Sequence, residues 1–290
     1  MKDDRLFKTL KDKMADFSKG QKKIADFILT QYDKAAYITA AKLGKTVGVS
    51  ESTVVRFASE LGYDGYPAMQ KAVREMIKNR LTAAQRLKAT ADRIKKDDIA
   101  ASVLESDMEN IKLTIDEIDK DVFKSITEAV VSAKNVYIVG VRSSAALAGF
   151  FSFYLNLIRS NVRLVQSATA SELFEQIFRI EKGDVLIGIS FPRYSKRTLN
   201  AIKYAKDREA TVVCITDSKS APVAEAADFC LTARSDMISV VDSLVAPLSV
   251  INALLVSICM SRETEAMSAF KKLENIWDEY NVYEKSGREG

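Results

Sequence analysis

The sequence predicts two folding units of different class: an all-α unit at the N-terminus and, after a helical linker, a doubly wound α/β unit built on a parallel sheet. Three observations predict it. Apolar residues keep helical spacing through residues 1–80, with Ile24, Ala25, Phe27, Ile28 and Leu29 forming one stripe. From Asn135 onward, five short apolar runs alternate with helical patterns, the signature of strands buried on both faces by crossover helices. Charge divides at the same place. Residues 1–80 carry 16 Lys/Arg against 10 Asp/Glu, residues 81–96 add 5 against 1, and the rest of the chain is net acidic, for a total of +4. A basic module that meets a polyanion, joined to a mildly acidic one that does not, produces such asymmetry.

Element by element, residues 1–80 form the first unit and 81–119 a charged helical linker, with an exposed turn at Lys95–Asp98 and one helix face bearing Ile111, Ile115 and Ile118. Residues 120–265 form the α/β unit, and 266–290 a C-terminal helical tail. The five strands are expected at Val136–Val139, Val162–Val165, Val185–Ser190, Val212–Thr216 and Phe229–Leu231. The apolar run Ser243–Met260 is broken by Pro247 and Asn252, so it reads as a buried or dimer-forming helix, not a membrane span.

Composition removes several function classes. The chain has no histidine, hence neither the commonest metal ligand nor the commonest neutral-pH acid/base, and no metal or cofactor is expected. Cys214, Cys230 and Cys259 are odd in number and set among apolar neighbours, which fits core filling in a reducing compartment better than a disulfide frame. The charged start MKDDRLFKTL has no apolar signal core, and a cytoplasmic location is expected.

Residues 38–62 carry the strongest motif. Two short helices crossing steeply around a tight turn need a residue tolerant of positive φ, a small residue at the contact, and a shared core. Gly48, Gly44, and Leu43, Val47, Val49, Val54 and Phe57 supply them. Ser50 is placed to cap the second helix, which ends near Leu61-Gly62. In a helix-turn-helix the N-terminal half of that second helix enters the major groove. It presents Ser50, Glu51, Ser52, Thr53 and Arg56. The hydroxyls suit phosphates or base edges and Arg56 suits guanine, while Glu51 complements the helix dipole. Lys42, Lys45 and Tyr66 are expected near DNA phosphates. The competing reading is a protein-docking helical hairpin.

In the α/β unit, ligands are expected beyond the carboxyl ends of the strands. Three such ends are polar: Arg142-Ser143-Ser144 ahead of a helix from Ala145, Ser190 to Ser195 with Arg193 and Tyr194, and Thr216-Asp217-Ser218. Helix-start amides and hydroxyls together suit an anion. Asp217 is expected as a turn or helix cap. A dinucleotide reading fails because Gly140-Val-Arg142 lacks the second glycine and Gln166-Ser167 lacks an acidic ribose partner.

The run VGVSESTVVRFASELGYDGYP (Val47–Pro67) resembles the helix-turn-helix of RpiR-type transcriptional regulators, and residues 120–260 are similar to their C-terminal sugar isomerase (SIS) domain. The resemblance implies a five-stranded sheet of flavodoxin-like order. It also implies a repressor-type regulator of carbohydrate metabolism that binds palindromic operators as a dimer or tetramer and responds to a sugar phosphate or polyol. Two departures stand out. Gly44 replaces the usual alanine, which is expected to loosen helix packing. In the loop resembling S-x-S-G-x-T, Pro192 replaces the second serine and Arg193 the glycine, removing an amide donor and blocking close backbone approach. An anion is then expected to be held through the Arg193 guanidinium. SIS domains also occur in isomerases, so a phosphosugar isomerase fused to a helical domain is the alternative. Glu172 and Glu175 would be its candidate bases, although surface salt bridging fits them better.

Overall fold

The computed structural model describes residues 5–78, 98–166, 169–236 and 242–283. Residues 81–97 of the expected linker, which include the turn at Lys95–Asp98 except for Asp98 itself, lie outside them, as do Ser167 and the tail beyond 283. The chain divides into two compact units, residues 1–103 with 237–242 and residues 104–236 with 243–290.

The first unit is all-helical: α1 (Arg5–Asp12), α2 (Lys19–Thr30), α3 (Tyr32–Ala35), α4 (Ala40–Val47), α5 (Glu51–Glu60) and α6 (Gly65–Lys78). Its helices start where short polar side chains can cap them. Ser18 and Gln21 form a reciprocal capping box on α2, Thr39 accepts from the Lys42 amide, and Ser50 from the Thr53 amide. α4 ends because Gly48 turns left-handed at φ 74°, and α5 ends in the same way through Gly62 at φ 86°. Leu43, Val54 and Phe57 are buried in one core with Leu10, Ile24, Ile28 and Met69, and Val47 and Val49 pack at its edge.

The corresponding expectation for Gly44 is reversed. A Cβ there would lie 2.7 Å from the Val49 carbonyl oxygen, inside any ordinary contact. The Val49 amide also donates to the Gly44 carbonyl at 2.8 Å. Glycine therefore draws the turn closer to α4 than alanine would, tightening the motif.

In the second unit, α7 (Ile99–Glu117) and α8 (Lys120–Ser132) lead into β1 (Val136–Gly140), α9 (Ser144–Ile158), β2 (Val162–Val165), α10 (Ala170–Ile177), β3 (Val185–Ile189), α11 (Lys196–Asp207), β4 (Thr211–Thr216), α12 (Pro222–Ala226), β5 (Phe229–Thr232), α13 (Val245–Ser261) and α14 (Glu263–Glu279). The strands pair in parallel in the order β2-β1-β3-β4-β5, with Val136 opposite Val185 and Ile187 opposite Val213. Alternation along each strand feeds two cores. Ile138, Ile187, Ile215 and Leu231 meet α8, α9 and α13, whereas Tyr137, Leu186 and Val212 meet α10, α11 and α12. Each buried aliphatic contributes about 1.5–3 kcal/mol to this double layer.

α14 is more than a tail, since Ala266 and Phe270 pack into the first of these cores. Among the described residues no single helix is long and apolar enough to cross a membrane. α13, strongly apolar, buries Val250, Ile251, Leu254 and Ile258 in the same core.

Candidate nucleic-acid interface and effector site

The surface around the α4–α5 turn is built from hydroxyls and cations. Ser50 Oγ lies 2.9 Å from Ser52 Oγ and 2.8 Å from Thr53 Oγ1, a cluster of three hydroxyls at the start of α5. Ser50, Glu51, Ser52 and Arg56 are exposed and Thr53 is half-buried. Arg56 sits 3.9 Å from Glu60 in an exposed pair, which is weak enough for the guanidinium to exchange to another anion at little cost. Lys42 and Lys45 are exposed on α4.

Tyr66 is not on that surface. It is 4% exposed, and its hydroxyl donates to the Ile38 carbonyl at 2.8 Å and to Ala35 at 3.4 Å. Burial pushes its pKa up to about 12, because a phenolate there would lose its water. The expected phosphate contact is corrected to a structural one. Gln70 and Arg74 of α6 reinforce it by donating to the Ile38 and Ala36 carbonyls at 2.6 and 2.8 Å. α6 thus fixes the chain entering α4.

The sequence reading missed the part played by α2. A Cβ on Gly20 would touch Val49 and Thr53, the Lys23 ammonium comes within 3.7 Å of the Cβ position of Gly48, and Gln21 donates to Glu60. Lys23 is a further cation beside the turn. Only the fold brings it there, since it lies 25 residues before Gly48.

In the second unit, parallel pairing places the three polar loops at one end of adjacent strands. After β1, Arg142 turns left-handed at φ 61°, and α9 begins at Ser144, one residue before the expected start. Gly140 permits this. A Cβ would lie 2.4 Å from the Ser144 carbonyl oxygen, so the helix start presses directly on the strand end. Ser143 is exposed with no side-chain cap bond. Ser144 is buried.

After β3, Ser190 is buried and accepts from the Ser195 amide at 3.2 Å, while Ser195 Oγ accepts from the amides of Arg197 and Thr198 to cap α11. Arg193 adopts φ 65°. The loop therefore keeps the left-handed backbone that suits glycine and carries an exposed arginine on it. The chain path survives the substitution at the cost of about 1–2 kcal/mol of strain.

The third loop is tied to the second. The Tyr194 hydroxyl donates to Asp217 at 2.8 Å, and Thr216 Oγ1 lies 3.4 Å from the same carboxylate. Asp217 is thus a bridge between loops where a cap was expected. Thr216 and Asp217 are buried, and Ser218 Oγ instead pairs with Ser220 at 2.9 Å. Among the described residues Thr198 Oγ1, at the head of α11, is a buried hydroxyl without a hydrogen-bond partner.

Two left-handed non-glycine residues, Arg142 and Arg193, thus stand on adjacent strand ends with serines and helix starts beside them, at the end of the sheet where open parallel sheets take ligands. A cleft of about 500 Å³ lies at the opposite, amino end of the sheet, lined by Lys206, Glu209, Thr211 and Asp228. Lys206 and Asp228 already pair there, and strand amino ends are not where open parallel sheets take ligands. Glu172 and Glu175 are accounted for locally. Glu172 completes a capping box with Thr169, and Glu175 accepts from Ser171 at 3.0 Å.

Residues 5–80 match the model of the rpiR-family helix-turn-helix domain, and residues 129–257 match that of the SIS domain. The chain belongs to the RpiR-type regulators. An uncharacterized HTH-type transcriptional regulator of Haemophilus influenzae is 27% identical over 216 residues, 74% of each chain. Another, from Caldanaerobacter subterraneus, is 23% identical over 274 residues, 92% of this chain and 93% of its own. The sugar isomerase domain of an RpiR transcription factor from Sphaerobacter thermophilus is 26% identical with a TM-score of 0.59, covering 61% of this chain and 99% of that one. The Vibrio vulnificus NanR protein, solved with ManNAc-6P, is 20% identical with a TM-score of 0.57 over 95% of this chain and 98% of its own. This RpiR-type chain is a DNA-binding transcriptional regulator, and its domain pair places it with the regulators and apart from the isomerases that share the SIS fold.

Proposed function

We propose that the chain is a cytoplasmic repressor of carbohydrate metabolism that is released or engaged by an anionic sugar derivative. Residues 1–80 are the operator-binding module, 81–119 the linker, 120–265 the sensor and 266–290 a helical extension. Ser50, Ser52, Thr53 and Arg56 read a half-site of a palindromic operator, Glu51 stands at the helix start, and Lys42, Lys45 and Lys23 meet phosphates.

The effector occupies the strand-end loops through Arg142, Ser143, Ser144, Ser190, Arg193, Tyr194, Ser195, Thr216, Asp217 and Ser218. The observation that carries this reading is the pair of left-handed arginines, Arg142 and Arg193, on neighbouring strand ends. Both cations stand on loops held in a sparsely populated backbone conformation of the kind that clusters at ligand sites. Support for a phosphorylated sugar comes from the fold shared with NanR, whose structure holds ManNAc-6P. The protein pairs with a second copy through α13, whose Val256 and Met260 are exposed beside Phe153 and Tyr154 of α9.

Operator binding, followed by fluorescence anisotropy, is expected to shift when hexose 6-phosphates and N-acetylhexosamine 6-phosphates are screened one at a time. Ser143→Ala and Ser190→Ala should lose that shift while keeping DNA affinity. A full response in both variants would move the pocket elsewhere, and no response to any phosphosugar would remove this effector class.

A further inference from the structure

We propose that α7 is a self-association surface: it pairs antiparallel with α7 of a second copy of the chain. The helix is inverted in its burial. Its polar side faces its own unit, where Asn110 and Thr114 are buried. Asn110 donates to the Asp236 carbonyl at 3.1 Å, Thr114 accepts from the Arg234 amide at 2.9 Å, Asp107 accepts from Ser243 at 2.6 Å, and Glu117 pairs with Arg234. Its apolar side faces outward. Leu104 is 63%, Met108 69% and Ile115 67% exposed, and Ile111 is half-buried between them.

These four residues are spaced by four, three and four, the interval that keeps a seam facing a partner helix. A helix that spends its polar groups inward and leaves a seam of large apolar groups in water is completed by a partner.

Charge selects a second copy as that partner. With two α7 helices antiparallel about a two-fold axis between Met108 and Ile111, Leu104 lies opposite the second copy's Ile115 and Met108 opposite its Ile111. In this register Glu105 falls beside the second copy's Lys112, and Lys112 beside its Glu105. Both residues are exposed on the flank of the seam, so two ion pairs close across one isologous contact. A parallel register puts Ala100 beside Glu105 and leaves the carboxylate without a counter-charge. The contact is independent of the α13 pairing proposed above. If both operate, the assembly has two kinds of two-fold interface.

The test is charge exchange in the full-length protein, read by sedimentation equilibrium. Glu105→Lys and Lys112→Glu should each weaken self-association by about tenfold, because two exposed ion pairs become two like-charge contacts. The double exchange should return it to within about twofold, since the pairs are restored with signs reversed. Thermal midpoints measured at concentrations where the parent protein is dissociated should not move, as both positions are exposed. Single variants that associate like the parent protein would overturn the proposal, and so would a double variant as weak as the singles. Val256→Asp tests the α13 pairing separately, so failure of one interface is distinguishable from failure of the other. Cysteines at position 104 in one chain and 115 in another should cross-link on mixing and not alone. Cross-linking of Leu104→Cys with itself would refute the antiparallel register.

Discussion

At Tyr66, one hydroxyl decides a role. The residue follows the recognition helix in a basic module, and by position alone it belongs near DNA. In the structure its ring is buried and its hydroxyl is committed to the Ile38 and Ala35 carbonyls. Tyr66→Phe should therefore cost about 1 kcal/mol of stability, the net worth of a buried hydrogen bond, and leave operator affinity unchanged at a temperature where both proteins are folded. The pH dependence follows with a definite sign. The folded-state pKa, about 12, is above the unfolded value of about 10. The stabilisation is then fully present below about pH 10 and lost as pH climbs through the folded value. Denaturant titrations from pH 9 to 12 should show that decline in the parent protein and a shallower one in Tyr66→Phe. Equal slopes would contradict the burial argument. Arg193 and Gly44 teach the complementary point. Residue type at each was readable, but its consequence depended on the φ of 65° the loop imposes on Arg193 and on the Val49 carbonyl 2.7 Å from the Cβ position of Gly44.

Among the elements, α5 was almost wholly legible. Its cap, its apolar positions and its terminating glycine are local signals lying between Ser50 and Gly62, and the helix runs from Glu51 to Glu60 with Ser50 as its cap. This licenses a prediction about the element's exposed face. Arg56→Ala should cost about 1–3 kcal/mol of operator binding and relax specificity at one base pair, the signature of a base contact. Lys45→Ala should weaken all sequences alike and lower the salt slope by about one unit, the signature of a phosphate contact. Competition binding against operator and random duplex across a salt series separates the two, and uniform weakening by both variants would remove Arg56 from the base-reading set. The remaining elements were less readable. The α7 pattern shows an apolar face at Ile111, Ile115 and Ile118, which periodicity alone assigns to the unit's interior. Only Ile118 packs there, and Asn110 and Thr114 take the buried side. Periodicity reports that a helix is amphipathic, not which side meets its own domain.

For the whole molecule, a sensor and an operator-binding module in one chain must be coupled energetically or they do not make a switch. Any effector that changes operator affinity by a given factor must find its own affinity changed by the same factor when operator is bound. Calorimetric titration of the effector with and without operator DNA should return that factor within error, and a mismatch would show that binding is not at equilibrium between two states. The sequence by itself determined the class of each unit, the five strands, the helix-turn-helix and the polar strand ends, because hydrophobic period, caps and turn glycines act over a few residues. Only the tertiary structure decided what those residues do to one another. It put Lys23 beside Gly48, hid Tyr66, tied Tyr194 to Asp217 and turned the apolar side of α7 outward. Each of these depends on groups 23 to 31 residues apart, or on which face a helix buries, and such contacts are fixed by the packing of whole elements, for which no local pattern in the chain carries the information.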